Sequence, residues 1–235
     1  MNEWSDREPP RQAGSTRAVA FFDLDGTLVI GQTQALLVRF LRRAGVIGRA
    51  FLLATGLWFL AYRAGLVKVT QESREKGAVV LKGLTEQEVE ELMTTFTDEV
   101  MVPRLHPEAA NALAKHLFEG DRVVVLSAAL EPVVKALCKR LSVAEYVGAQ
   151  CEVRQIADEK RYTGRLSGPT PYGDEKARLA AGFMERWRAD PASCWAYADH
   201  ETDLALLSSV GHPVAVNPKP GLRASARIAG WPVLP

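Results

Sequence analysis

A chain of 235 residues is long enough for one large domain, or for a core that carries an insertion, and can bury a sizeable apolar interior. A formal net charge of +1, with arginines scattered rather than clustered, argues against a polyanion-coating protein, so no nucleic-acid partner is expected. Three widely spaced cysteines, Cys138, Cys151 and Cys194, with no Cys-x-x-Cys pair, argue against a disulfide framework or a zinc site and suit a reducing cytoplasm.

Residues 1–17 are polar, contain Pro9-Pro10 and lack the basic-then-apolar order of a signal peptide, and are read as a flexible tail. The apolar run from Ala18 to Phe22 then ends in Asp23-Leu24-Asp25-Gly26-Thr27. A short continuous apolar run is the pattern of a buried parallel strand, and the ligands of parallel sheets gather at the carboxyl ends of the strands. Residues i and i+2 of an extended segment point the same way, so Asp23 and Asp25 can face one small site. Two anions that close repel unless a cation shares the site, and a divalent metal resolves the conflict. A helix-capping Asp-x-Asp-Gly turn is the alternative reading of the same residues.

From Gln32 to Met101 the pattern is helical, with Leu36, Leu37, Phe40 and Leu41 on one face. Ala50 to Tyr62 is uncharged between Arg49 and Arg63, and is shorter than the roughly 20 residues that span hydrocarbon. A helix buried within the protein is expected there, with contact to a membrane surface as the alternative. Thr85-Glu86-Gln87-Glu88 reads as a capping box opening a helix that runs to about Met101 and is stopped by Pro103. Leaving the chain just after the carboxylates, this insertion can fold over them as a lid that excludes water.

Beyond Pro107 strands and helices alternate: helix from Pro107 to Glu119, strand from Arg122 to Leu126, helix from Pro132 to Leu141 and strand from Tyr146 to Gln150. A hairpin follows from Cys151 to Leu166, with Thr163-Gly164 at its bend. Helix Glu175 to Trp187, strand Cys194 to Ala198, helix Leu204 to Ser209 and strand Val214 to Val216 complete an α/β pattern. The expected fold is a Rossmann-like parallel sheet flanked by helices and interrupted by an all-helical cap. Its divisions are a tail at 1–17, a core at 18–30 and 104–235, and a cap at 31–103.

Three more features fall after core strands or at a helix start. Ser127-Ala128-Ala129 offers a hydroxyl and backbone amides suited to phosphate oxygens, or a helix N-cap. Lys176 stands in the first turn of a helix, where a cation opposes the dipole unless an anion is near; an exposed lysine is the plainer reading. Asp199-His200-Glu201-Thr202-Asp203 can supply one metal ligand and one supporting carboxylate, or merely cap the next helix. His200 is read as a neighbour rather than a ligand, because oxygen-rich surroundings suit magnesium better than zinc.

In this order the four elements resemble the haloacid dehalogenase superfamily of phosphohydrolases, within it the phosphoserine-phosphatase-like branch with a helical cap between its first and second motifs. Val210 to Pro218 and Gly230-Trp231-Pro232-Val233 are similar to that branch as well. The resemblance implies that Asp23 is the nucleophile forming an aspartyl phosphate, and that Asp25 is the general acid and base. It further implies Mg2+ held by Asp23, the backbone carbonyl of Asp25 and Asp199, with Asp203 in support. Thr27, Ser127, Ala128 and Lys176 would serve the phosphoryl group and its loop, and a small-molecule phosphate ester would be the partner. The carboxylate that holds the substrate ammonium in phosphoserine phosphatases is here Gln32, and Gly77 falls at the cap-arginine position, with Arg74 and Lys76 nearby. Phosphoserine is therefore disfavoured. A phosphotransferase or phosphomutase, a lipid-phosphate phosphatase at the membrane surface and a noncatalytic phosphometabolite-binding protein are the rivals. Nothing in the sequence signals an oligomeric state.

Overall fold

The computed structural model describes residues 17–46 and 77–235. Ala50 to Tyr62, Arg74, Lys76 and nearly all of the expected tail lie outside the described residues. The strands are β1 (Val19–Phe22), β2 (Arg122–Leu130), β3 (Glu145–Ala149), β4 (Cys151–Ile156), β5 (Glu159–Leu166), β6 (Trp195–Ala198), β7 (His212–Val216) and β8 (Val233–Leu234). The α-helices among the described residues are α1 (Thr33–Arg43), α2 (Glu86–Phe96), α3 (Pro107–Phe118), α4 (Glu131–Arg140), α5 (Asp174–Trp187), α6 (Leu204–Ser208) and α7 (Pro220–Ala229).

Six strands form one sheet in the order β3-β2-β1-β6-β7-β8, and every neighbouring pair is parallel. Parallel sheets are covered on both faces, and the two apolar clusters show this residue by residue. Ala20, Phe22, Val123, Val125, Trp195 and Tyr197 enter one cluster; Val19, Phe21, Val124, Leu126, Ala196 and Ala198 enter the other. Alternate residues thus feed opposite cores, and for that reason the strands read as unbroken apolar runs. The chain builds one half of the sheet outward from β1, then returns to build the other half from β6. The switch point lies between β1 and β6, where an open α/β sheet places its ligand crevice.

The stretches on either side of residues 31–103 run next to each other. Ile30 N–H donates to Arg104 C=O at 2.8 Å, and His106 N–H to Leu28 C=O at 2.9 Å. Beyond them α2 opens on the capping box read from the sequence: Thr85 Oγ1 accepts from Glu88 N–H at 3.1 Å, and Glu88 Oε2 from Thr85 N–H at 2.7 Å. The helix continues past Phe96 through a π-helical turn, Thr97–Met101, and a 3-10 turn, Val102–Arg104, that contains Pro103.

Two expectations need correction. The hairpin turns at Ala157-Asp158, with Ala157 at φ +52°, while Thr163 and Gly164 lie within β5. Gly164, at φ +80°, is required instead because a Cβ there would stand 2.9 Å from Cβ of Lys82. Strand β2 runs on to Leu130, its pairing with β3 shifting register between Leu126 and Leu130. Beyond the last element expected from the sequence, α7 opens at Pro220: proline is tolerated in a first helical turn because no intrahelical donor is lost there.

Phe96 is fully buried, and its ring centroid lies 5.4 Å from that of Phe40 on α1. Phe96→Ala is expected to cost about 3–5 kcal/mol, measured by equilibrium urea denaturation.

Candidate functional site

The carboxyl ends of β1, β2 and β6 deliver the site. Past β1, Asp23 N–H donates to Tyr197 C=O at 3.0 Å, continuing the β1–β6 pairing as far as Asp23. Gly26 then takes φ +86°, and a Cβ on it would lie 2.2 Å from Oδ2 of Asp199. That contact places the Asp199 carboxylate hard against the Asp25-Gly26 turn, and only glycine combines such a φ with such an approach.

A cavity of about 240 Å3 opens at this point, lined by Asp23, Asp25, Ser127, Ala128, Lys176, Asp199 and Asp203, together with Gln32, Tyr172, His200, Thr202 and Lys219. The side chain of Lys176 is only 5% exposed. Its Nζ donates to Asp23 Oδ1 at 2.6 Å and to Asp203 Oδ2 at 2.8 Å. Burial disfavours the ammonium, but the two carboxylates outweigh burial and hold its pKa above the ordinary lysine value. The reading of Lys176 as an ordinary surface lysine is thereby removed.

Thr27 is fully buried and reaches the site through Asp23, its hydroxyl donating to Asp23 Oδ2 at 3.3 Å, rather than through the cavity wall. Ser127 lines the cavity, and its Oγ accepts from Ala129 N–H at 3.1 Å. It does not cap a helix, since α4 begins at Glu131 with Leu130 at the cap position. Nor does Asp199 or Thr202 provide the next cap: His200 Nδ1 accepts from Thr202 N–H at 3.2 Å.

Negative charge dominates. Burial lifts the Asp25 carboxyl to about 6, opposed by the hydrogen bond from Thr33 N–H. Burial, reinforced by Asp23, lifts Asp199 to about 6 as well, with Lys219 opposing. Asp203 is also raised by burial, and its Oδ1 has no hydrogen-bond partner. Four carboxylates thus face one buried ammonium and the half-exposed Lys219, whose Nζ is 3.9 Å from Asp199 Oδ2. Oxygen donors in excess of the cations present, one of them unpartnered, suit a hard divalent cation. A second group of donors, His116, Glu119 and Asp121, also converges among the described residues. There both ring nitrogens of His116 are engaged, Nδ1 with Asp121 at 2.8 Å and Nε2 with the Tyr197 hydroxyl at 2.9 Å, which marks a buried network under the sheet.

Residues 20–208 match the haloacid dehalogenase-like hydrolase family. The chain belongs to this family. A probable phosphatase of Mycobacterium tuberculosis is 30% identical to this haloacid dehalogenase-like hydrolase over 232 residues, 96% of this chain and 79% of that protein. A protein of unknown function from Bordetella pertussis superposes with a TM-score of 0.82 at 26% identity, covering 94% of this chain and 99% of that one. A structure of phosphoserine phosphatase described as a phospho-aspartyl intermediate analogue shares the fold, with a TM-score of 0.61 at 19% identity over 94% of this chain and 93% of that one.

Sequence reasoning missed Tyr172, Thr202 and Lys219 as cavity residues. Lys219 had a usable signal: it follows β7, another parallel strand whose carboxyl end faces the crevice. Tyr172 and Thr202 carry none beyond proximity to Lys176 and Asp199.

Two measurements probe this geometry. Gly26→Ala, strained by its φ and thrust against Asp199, is expected to lose about 1–3 kcal/mol in urea denaturation. The second concerns charge. An unfolded carboxyl titrates near 3.8 and Asp199 in the fold near 6, so ionised Asp199 opposes folding fully above pH 6, and the opposition fades as pH falls toward 3.8. Asp199→Asn is therefore expected to melt at a higher temperature than the metal-free wild type at pH 7.5, by a margin that shrinks at pH 5.

Proposed function

We propose that this haloacid dehalogenase-like hydrolase is a Mg2+-dependent phosphatase that cleaves a phosphate monoester through an aspartyl phosphate on Asp23. The observation that carries the reading is the convergence on one cavity of Asp23, Asp25, Ser127, Lys176, Asp199 and Asp203, drawn from distant parts of the chain. Phosphoryl transfer needs an aligned nucleophile, neutralised oxygens and a proton for the leaving group.

Lys176 and Thr27 hold the two carboxylate oxygens of Asp23, fixing its orientation toward the cavity. In the first step a carboxylate oxygen of Asp23 bonds to phosphorus as the ester P–O bond breaks, and protonated Asp25 gives its proton to the departing oxygen. In the second, Asp25 as carboxylate takes a proton from the water that attacks the aspartyl phosphate; phosphate leaves and Asp23 is restored. A carboxyl lifted to about 6 by burial is matched to alternating between these states near neutral pH. Ser127 and Lys176 would bind phosphoryl oxygens. Mg2+, held by Asp23, Asp199 and the Asp25 carbonyl, would supply charge neutralisation on those oxygens. The six residues together argue against a noncatalytic binding protein.

For the substrate, Gln32 on the cavity wall offers an amide where a carboxylate would recognise an ammonium group. We read this as disfavouring phosphoserine, and a panel of monoesters including sugar phosphates, histidinol phosphate and phosphoserine tests the choice. No helix among the described residues is long and apolar enough to cross a membrane.

Asp23→Asn is expected to lower kcat by about a thousandfold or more while circular dichroism shows the fold intact. Substantial Mg2+-dependent phosphate release by that variant would remove Asp23 from its assigned role. With the wild type, free phosphate should equal ester consumed even when an acceptor alcohol is present, which separates a hydrolase from a phosphotransferase.

A further inference from the structure

The contact between Asp25 and the first residue of α1 couples the proposed acid and base to the insertion. Thr33 N–H donates to Asp25 Oδ1 at 2.6 Å. Thr33 is the N1 residue of an eleven-residue helix whose N-cap, Gln32, provides no side-chain acceptor and whose first turn holds no acidic residue. The first N–H groups of a helix lack intrahelical partners. Here the acceptor comes from the catalytic loop, eight residues back in the chain. The other end of the same helix is anchored in the insertion, where Phe40 meets Phe96.

We infer that the backbone N–H of Thr33 is a positioning group for proton transfer: it holds one oxygen of Asp25, so that the carboxyl is presented to the leaving oxygen in a fixed orientation. This rests on the acid and base role proposed for Asp25. The Thr33 side chain is buried, 1% exposed, and its hydroxyl acts on the Asp25 carboxyl in the same sense as the main-chain N–H but more weakly. The larger contribution belongs to the main chain and would pass unnoticed in an alanine scan.

Local geometry supplies a substitution that deletes this one donor. Proline is at home in the N1 position of a helix, and it requires an extended residue before it. Gln32, at φ −103° and ψ +113°, already meets that requirement. Thr33→Pro therefore removes the N–H while preserving α1, and Thr33→Val keeps the N–H while removing the hydroxyl.

The readout is kcat/KM for two esters, p-nitrophenyl phosphate, whose leaving group departs without a proton, and an alkyl phosphate turned over by the wild type, whose leaving group needs one. Thr33→Pro is expected to lose about tenfold to a hundredfold on the alkyl ester and less than about twofold on p-nitrophenyl phosphate. Thr33→Val, which keeps the N–H, should stay closer to the wild-type ratio between the two than Thr33→Pro does. Equal losses of Thr33→Pro on both esters, or no loss on the alkyl ester, would overturn the inference. Asp25→Asn run in parallel separates the two levels: if it shows no leaving-group dependence, the role of Asp25 fails; if it does and Thr33→Pro does not, only the positioning role fails. Should Thr33→Pro not fold, amide hydrogen exchange decides. The Thr33 amide is expected to exchange faster in Asp25→Ala than in the wild type, with the rest of α1 unchanged, and an unchanged rate would overturn the inference.

Discussion

The Lys176 ammonium is the interaction on which the site depends. Asp23 and Asp203 come from opposite parts of the chain, and Lys176 stands 153 residues from the first and 27 from the second. Without a shared cation their carboxylates would repel at short range in a region shielded from water, where charge interactions are strong. A buried ion pair is poor evidence for stability, because removing both charges from water offsets most of their attraction. Its persistence here is better explained by what it arranges: a carboxylate held at both oxygens at the end of the central strand, facing an open cavity.

The sheet turns this local arrangement into a site. Because all six strands run parallel, their carboxyl ends share one edge, and side chains following β1, β6 and β7 meet Ser127 and Ala128 of β2 there without further construction. Rigidity comes from beneath. Phe22, immediately before Asp23, stacks on Tyr197 with ring centroids 4.3 Å apart, and the Tyr197 hydroxyl is tied to His116 and through it to Asp121. The floor under Asp23 is thus a packed aromatic layer braced by a buried polar chain, as precise positioning requires.

Much of this was legible because burial on both faces gives parallel strands a signal that needs no periodicity. The runs at Val19–Phe22 and Val123–Leu126, and the carboxylates following the first, could be read from residue type alone. Where the reading failed, tertiary contacts had overruled local preference. Gly164 looked like a bend but accommodates Lys82, while Ala157 takes the left-handed conformation at the true turn. Beyond Val216 no further helix was read, and Gly221 in α7 stands where a Cβ would meet the Glu201 carboxylate 2.7 Å away. Lys219 had only its position after β7 to mark it, and its place at the cavity is fixed by its backbone N–H, which donates to Asp199 C=O at 2.8 Å.

Charge also constrains the proposed reading. A phosphate monoester brings about two negative charges near neutral pH into a cavity where four carboxylates already outnumber Lys176 and Lys219. Entry of the dianion alone would add repulsion to a site where burial has already pushed Asp25 and Asp199 toward their neutral forms. Asp23 and Asp199 would hold a divalent cation whose charge would offset that excess, and a protonated Asp25 would relieve more of it while providing the proton that the leaving oxygen needs. By the same argument the elevated Asp25 carboxyl serves twice, lowering the barrier to substrate entry and then supplying the acid for the reaction that follows.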